Sequence, residues 1–215
     1  MCLPTTGPQA RQTASLIDLS SDAQLHRWAG LMESSQADRL LATLSQTLDW
    51  QQPKITVYGR QHPVPRLTAW HGDAGLRYRY SGHMHTARGW PAALLPIKTA
   101  VEQVTGKTFN SVLANLYRNG DDCMGYHSDN EPALGHAPWV ASYNLGACRE
   151  LTFRPKGPGS QRQCLSVPLH HDDLLLMSPA VQARFEHALP RRRNRPDPRI
   201  NLTFRYIITE QTAGI

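Results

Sequence analysis

Between Gln36 and Leu48 the apolar residues fall at Ala37, Leu40, Leu41, Leu44 and Leu48. That three-and-four spacing predicts a helix with one buried stripe, and Ser35 is a candidate N-cap. A second helix is predicted from Trp90-Pro91, where proline suits the first turn, to Gly106, which suits the left-handed residue that closes a helix. Leu94, Ile97, Val101 and Val104 are its apolar stripe. Beyond Gly106 the period shortens. Phe109–Tyr117, Trp139–Leu145, Glu150–Arg154, Gln163–Val167, Leu174–Met177, Ala183–His187 and Ile200–Ile208 read as short strands separated by Gly, Pro, Asn and Asp. Earlier, Lys54–Tyr58 reads as a strand ended by Gly59, and Arg77-Tyr78-Arg79-Tyr80 alternates basic and aromatic residues as a two-faced strand does. Helices followed by a run of strands predict an α+β chain whose second half is a β-sandwich or jelly roll.

At 215 residues the chain fits one domain. Residues 1–20 are expected to be a flexible N-terminal arm, since 1–14 are rich in Pro, Thr and Gln, and residues 21–215 the single domain. A net charge of +6 favours a polyanionic partner, though only weakly. The five Trp and seven Tyr add more, because aromatics beside basic residues stack on bases. The four cysteines form no CxxC pair and read as reduced thiols. The first twenty residues do not read as a signal peptide, and no apolar run approaches membrane-spanning length.

The candidate chemistry begins at His127-Ser-Asp129, two ligand types spaced to point the same way on a strand. His and carboxylate at three positions, with the others open, is the ligand set of non-haem Fe(II) oxygenases. Taken alone, the pair reads as a polar loop. The last strand adds weight. Ile200, Leu202, Phe204, Tyr206 and Ile208 fall on one face, and Arg199, Asn201, Thr203 and Arg205 on the other. Two cations and two hydrogen-bonding groups are unusual on a strand that otherwise reads as buried. The two arginine α-carbons would lie about 20 Å apart at ~3.3 Å per residue, and their long side chains leaning inward would bracket a short dicarboxylate. Asn115 and Tyr117 put an amide and a phenol on one face of an earlier strand. Surface salt bridges and an edge-strand polar face are the plainer alternatives. His170-His-Asp-Asp173 reads as a polar turn and His83-Met-His85 as a loop, not as further metal sites.

His127-x-Asp129, then His187, then Arg199-x-Asn201-x-Thr203-x-Arg205 resembles the AlkB family of Fe(II)/2-oxoglutarate dioxygenases. The similarity runs over residues 54–208. Phe109–Tyr117, His127–Glu131 and Ala147–Arg154 read like the second and third human homologues of that family. The resemblance implies a double-stranded β-helix (jelly roll) core over about 107–210, N-terminal flanking helices, and a nucleotide-recognition lid over about 54–90. It implies Fe(II) held by His127, Asp129 and His187, with O₂ and the co-substrate 2-oxoglutarate. Arg199 and Tyr117 would take the distal carboxylate, Arg205 and Asn115 would lie near the keto-acid end, and Asn201 and Thr203 would line the pocket. The implied activity is removal of methyl groups from 1-methyladenine and 3-methylcytosine in single- or double-stranded DNA, with RNA also open. Succinate, CO₂ and formaldehyde would be released.

For substrate, the resemblance implies that Tyr80 stacks a flipped base against His127, that Tyr78 sits at the pocket mouth, and that Glu131 meets the base edge. Tyr58 would fill the gap in the stack. Arg60, Arg66 and Arg191-Arg-Arg-Asn-Arg195 are candidate phosphate contacts. A turn Gly is usual in the family where this chain has Asp172, so the local turn geometry is in question there. A monomer is expected, in a bacterial cytoplasm or a nucleus, with no membrane partner. Two rival readings are a dioxygenase acting on protein or lipid, and a nucleic-acid-binding module without metal. The basic-aromatic lid with Glu131 argues against the first, and the complete triad with both arginines against the second.

Overall fold

The computed structural model describes residues 13–57, 59–80, 83–157 and 164–208, with 57, 79, 80 and 83–85 described by their backbone alone. In chain order the elements are β1 (Ser15–Asp18), β2 (Gln24–Trp28), α1 (Ser34–Thr47), β3 (Lys54–Val57), β4 (Arg60–Pro63), β5 (Leu67–Gly72), β6 (Arg77–Tyr80) and β7 (His83–Thr86). A 3₁₀ turn, Ala92–Leu94, then leads into α2 (Leu95–Thr105), β8 (Ser111–Tyr117), β9 (Met124–His127), β10 (Val140–Gly146), β11 (Arg149–Pro155) and β12 (Leu165–Leu169). The chain closes with β13 (Asp173–Met177), α3 (Pro179–Arg184), β14 (Phe185–Leu189) and β15 (Arg199–Arg205).

Two antiparallel sheets form the core. The larger runs β1-β2-β13-β10-β15-β8-β5 and the smaller β12-β11-β14-β9, while β3-β4 and β6-β7 are separate hairpins. The sequence of β13, DLLLM, is buried at every position, which a strand covered on both faces requires. The larger sheet has apolar packing on each side. Its outer face carries Tyr143, Leu174, Ile200, Leu202 and Phe204 against Ala37 and Leu44 of α1 and Ile97 and Val101 of α2. Its inner face contributes Leu25, Val140, Leu175 and Met177 to a second cluster with Leu151, Phe153, Val167 and Leu169 of the smaller sheet. This is the jelly-roll core the sequence resemblance implies. No helix among the described residues is long and apolar enough to cross a membrane.

Several boundaries differ from expectation, each for a local reason. Ser15–Asp18, expected in the loose arm, pairs with β2 at the sheet edge. Leu67–Gly72, expected in the lid, is also an edge strand of the larger sheet, paired along its length with β8. The hairpins β3-β4 and β6-β7 are therefore separated in sequence by a piece of the core. Ala183 and Arg184 close α3 instead of opening a strand. The N-cap of α1 is Glu33, with no side-chain cap, instead of Ser35. Gly106 does close α2, at φ 64°. Asp172 occupies the left-handed region at φ 64°. The turn geometry of a glycine is thus kept by a residue type that tolerates it.

Candidate active site

The pocket lies between the sheets, where β8, β15 and β10 face β9 and β14. Pairing sets its floor. Across three strands Asn115 pairs with Asn201, and Asn201 with Asn144, while Arg199 is flanked by Tyr117 and Gly146. Asn115, Tyr117, Ser142, Arg199, Asn201, Thr203 and Arg205 line one cavity with His127, Asp129 and His187. The alternation read from the last strand accounts for this: Ile200, Leu202 and Phe204 go fully into the helix-side core, which turns Arg199, Asn201, Thr203 and Arg205 inward. Tyr206 and Ile208 lie beyond the strand and are exposed.

One ligand atom from each of His127, Asp129 and His187 lies within 4.8 Å of the others, a group able to hold a metal ion. His127 and His187 are cross-strand partners on β9 and β14. Asp129 is not on the strand: β9 ends at His127 and the carboxylate follows in a bend. His127 Nδ1 lies 2.9 Å from the Gly125 carbonyl. It donates its proton there, which leaves Nε2 with a lone pair. Burial, with repulsion from His127, pushes the His187 ring down to about 3. The 3.6 Å approach of its Nε2 to Asp129 Oδ2 is therefore between a neutral ring and a carboxylate, not an ion pair.

Arg205 sends Nε (2.9 Å) and Nη2 to Asp129 Oδ1. Oδ2 is buried with no hydrogen-bond partner. Burial pushes the Asp129 carboxyl up, but the charge and hydrogen bonds of Arg205, together with His187 and His127, outweigh it and hold the group below the usual carboxylate range. A buried, ionised oxygen without a donor, facing two imidazole nitrogens, suits a divalent cation. The residues present fit the metal.

The other end of the cavity is built for an acid. Arg199 is buried, its Nη2 donates to Asn144 Oδ1, and its Cζ sits 5.3 Å from the Tyr117 ring centroid. No acidic side chain pairs with it within 4.0 Å among the described residues, and burial pushes the guanidinium down to about 10. Asn201 Nδ2 donates to Ser142 Oγ at 2.7 Å, and Thr203 Oγ1 donates to Asn201 Oδ1 at 2.8 Å. An uncompensated buried guanidinium is costly, so its place in a cavity points to an anionic ligand.

Arg66 is displaced from its expected role. It is 4% exposed, and its Nε donates to Asn115 Oδ1 at 2.9 Å. A phosphate contact needs an accessible guanidinium; this one sits behind the pocket wall. Tyr78 stacks on Trp70, with ring centroids 6.0 Å apart, and lies within electrostatic reach of Arg205. Glu131 does too, and its Oε2 is buried without a partner. Tyr58 lies outside the described residues, as does the side chain of Tyr80. Arg60 is exposed on β4. The arginine run at 191–195 docks on the turn at Gly120, where Arg192 N donates to the Gly120 carbonyl at 2.8 Å. His170–Asp173 is a turn whose Asp173 pairs with Arg27 at 2.7 Å. Ser142, Asn144 and Gln182 contribute to the site without having been singled out. The first two had a signal, polar residues two apart in the otherwise apolar Val140–Leu145.

Residues 24–205 match the 2OG-Fe(II) oxygenase superfamily, and the chain is a member of it. The superfamily's chemistry uses Fe(II), 2-oxoglutarate and O₂, which agrees with the triad and the anion-seeking arginine. Human alpha-ketoglutarate-dependent dioxygenase alkB homolog 3 is 38% identical over 187 residues, 84% of this chain and 65% of that protein. DNA oxidative demethylase ALKBH2 of mouse is 38% identical over 186 residues, 83% of this chain and 78% of that protein. Within the superfamily, the chain belongs to the AlkB family. The fold is shared with the structure of OsALKBH1, at TM-score 0.60 and 16% identity, covering 89% of this chain and all of that one. It is shared too with a prolyl hydroxylase of Trichoplax adhaerens, at TM-score 0.58 and 15% identity, covering 88% and 86%.

Proposed function

We propose that this protein oxidatively demethylates N-alkylated bases in DNA, 1-methyladenine and 3-methylcytosine, as a direct-reversal repair enzyme. RNA carrying the same lesions is a second substrate class. The observation that carries the reading is the orphaned Asp129 Oδ2, buried opposite His187 and beside His127, in a chain 38% identical to a DNA oxidative demethylase over most of its length.

His127 Nε2, Asp129 Oδ2 and His187 Nε2 would hold Fe(II), and Arg199 with Tyr117 would take the distal carboxylate of 2-oxoglutarate. Asn115, Asn201, Thr203 and Arg205 complete that pocket. Bound Fe(II) with 2-oxoglutarate and O₂ supplies oxidation of the methyl group, with release of succinate, CO₂ and formaldehyde. A base in a duplex must leave the stack to reach so enclosed a site. Glu131 offers it a carboxylate oxygen without a protein partner, suited to the cationic rings of these two lesions. Tyr78, like Glu131, lies within electrostatic reach of Arg205, and Tyr80 and Tyr58 would serve as stacking groups. That carboxylate oxygen, without a hydrogen-bond donor, favours a cationic base over a lipid. A single chain supplies every group named, so a monomer suffices, in whichever compartment holds the nucleic acid.

The test is the mass of a 3-methylcytosine oligonucleotide, single-stranded and duplex, incubated with Fe(II), ascorbate and 2-oxoglutarate. Loss of one CH₂ that requires 2-oxoglutarate and disappears in His127→Ala is expected. Succinate formation with an unchanged oligonucleotide would keep the oxygenase and reject the substrate.

A further inference from the structure

Asp129 is the ligand with the least backbone support. His127 and His187 sit on paired strands, but β9 stops at His127, and the last ladder pair leaves the Asp129 N–H beyond it. That N–H donates to Gln182 Oε1 at 2.9 Å. Gln182 is 1% exposed and sits in α3, five residues before His187. Its remaining groups are engaged: Nε2 donates to Met177 Sδ at 3.5 Å, and its carbonyl accepts from Lys156 Nζ at 2.8 Å. Met177 is itself a cavity-lining residue. The amide cannot turn over without setting an N–H against an N–H, so its orientation is fixed from both ends.

We infer that Gln182 is a positioning residue for the metal centre: through the Asp129 backbone it locks the carboxylate-bearing bend to the segment that delivers His187. The inference rests on His127, Asp129 and His187 being the metal ligands. Arg205 fixes which oxygen of Asp129 faces the site; Gln182 fixes where its backbone stands. Short of that bond the bend has no other backbone hydrogen bond to Asp129 N among the described residues, and the carboxylate would reach the metal only by ordering a loop.

Co(II) alone, titrated anaerobically and followed by its visible absorption, is the probe. Gln182→Met keeps the length and the apolar contact and removes the acceptor. Metal affinity should fall roughly tenfold to a hundredfold, as for other outer ligand supports, while the thermal midpoint of the metal-free protein falls by only the few degrees that one stranded buried N–H costs. In wild type without metal, the Asp129 amide should exchange slowly with deuterium. Gln182→Met binding Co(II) like wild type, or a lowered midpoint with unchanged affinity, would overturn the inference. Should that variant fail to fold, an Asp129 amide that exchanges at open-loop rates in wild type overturns it independently. If wild type binds no Co(II) that His127→Ala abolishes, the metal reading falls and this one with it.

Discussion

Arg205 places Nε and Nη2 on the same oxygen of Asp129, Oδ1, and leaves Oδ2 bare toward His187. The fork thus leaves one oxygen of the carboxylate free to ligate a metal. A lysine would keep the charge and lose the fork. Arg205→Lys is expected to lower kcat/KM for demethylation about tenfold to a hundredfold, the usual effect of removing an outer support of a metal ligand. Steady-state rates on a 3-methylcytosine oligonucleotide measure it, and unimpaired turnover would show that charge alone suffices.

Arg66 sits on the other side of the same wall. Its Nε occupies Asn115 Oδ1, and the Asn115 amide nitrogen, 3.4 Å from the Leu113 carbonyl to which it donates one hydrogen, keeps its second hydrogen for the pocket. Arg66→Met should therefore raise KM for 2-oxoglutarate by about threefold to tenfold, the worth of one hydrogen bond, while KM for the oligonucleotide holds. The reverse pattern, a raised oligonucleotide KM at constant 2-oxoglutarate KM, would restore the phosphate contact read from the basic residues of the sequence.

These two arginines show what the sequence could and could not disclose. Arg205 was legible because a strict two-residue alternation with Ile200, Leu202 and Phe204 determines which face it takes. Arg66 was not, because its burial depends on Leu67–Gly72 joining the larger sheet beside β8, a long-range pairing that local composition does not encode. The same cause hid Gln182. Its contact with Asp129 spans 53 positions, and nothing in Pro179–Arg184 marks one amide as special. His127, Asp129 and His187 were found by ligand type and family likeness. The bend that carries Asp129 off the strand emerged only from the structure.

Asp172 makes a stability prediction. Its side chain accepts the buried Tyr143 hydroxyl at 2.6 Å and the Met32 amide at 2.9 Å. These bonds tie the segment before α1 to the turn before β13. Asp172→Gly would relieve the left-handed backbone, a gain of about 1 kcal/mol. It would also strand the Tyr143 hydroxyl, a loss of about 1–3 kcal/mol, together with the Met32 bond. A net destabilisation of about 1–2 kcal/mol is expected by urea denaturation. A stabilised variant would mean that the two hydrogen bonds contribute little.

Asp122 gives the pH dependence. Arg118 donates to it from its backbone N (2.9 Å), Nε (2.8 Å) and Nη2 (2.8 Å). Burial pushes the Asp122 carboxyl up, but these bonds and the charges of Arg118 and Arg149 outweigh it, and the group ends below its ordinary value. A carboxyl depressed in the folded state binds its proton more readily once unfolded. Its contribution is therefore whole above the unfolded value of about 3.9 and drains away as pH falls through the lower, folded value. Asp122→Asn keeps the shape and removes the charge. At pH 7 it should be less stable than wild type by about 1–3 kcal/mol, since Arg118 and Arg149 lose their anion. Between pH 5 and 7 that gap should stay constant, and below about pH 4 it should narrow as the wild-type carboxyl is protonated. Urea denaturation of both proteins across that range measures it. A gap that widens on acidification would mean that Asp122 is raised, not lowered, and that burial wins over its arginines.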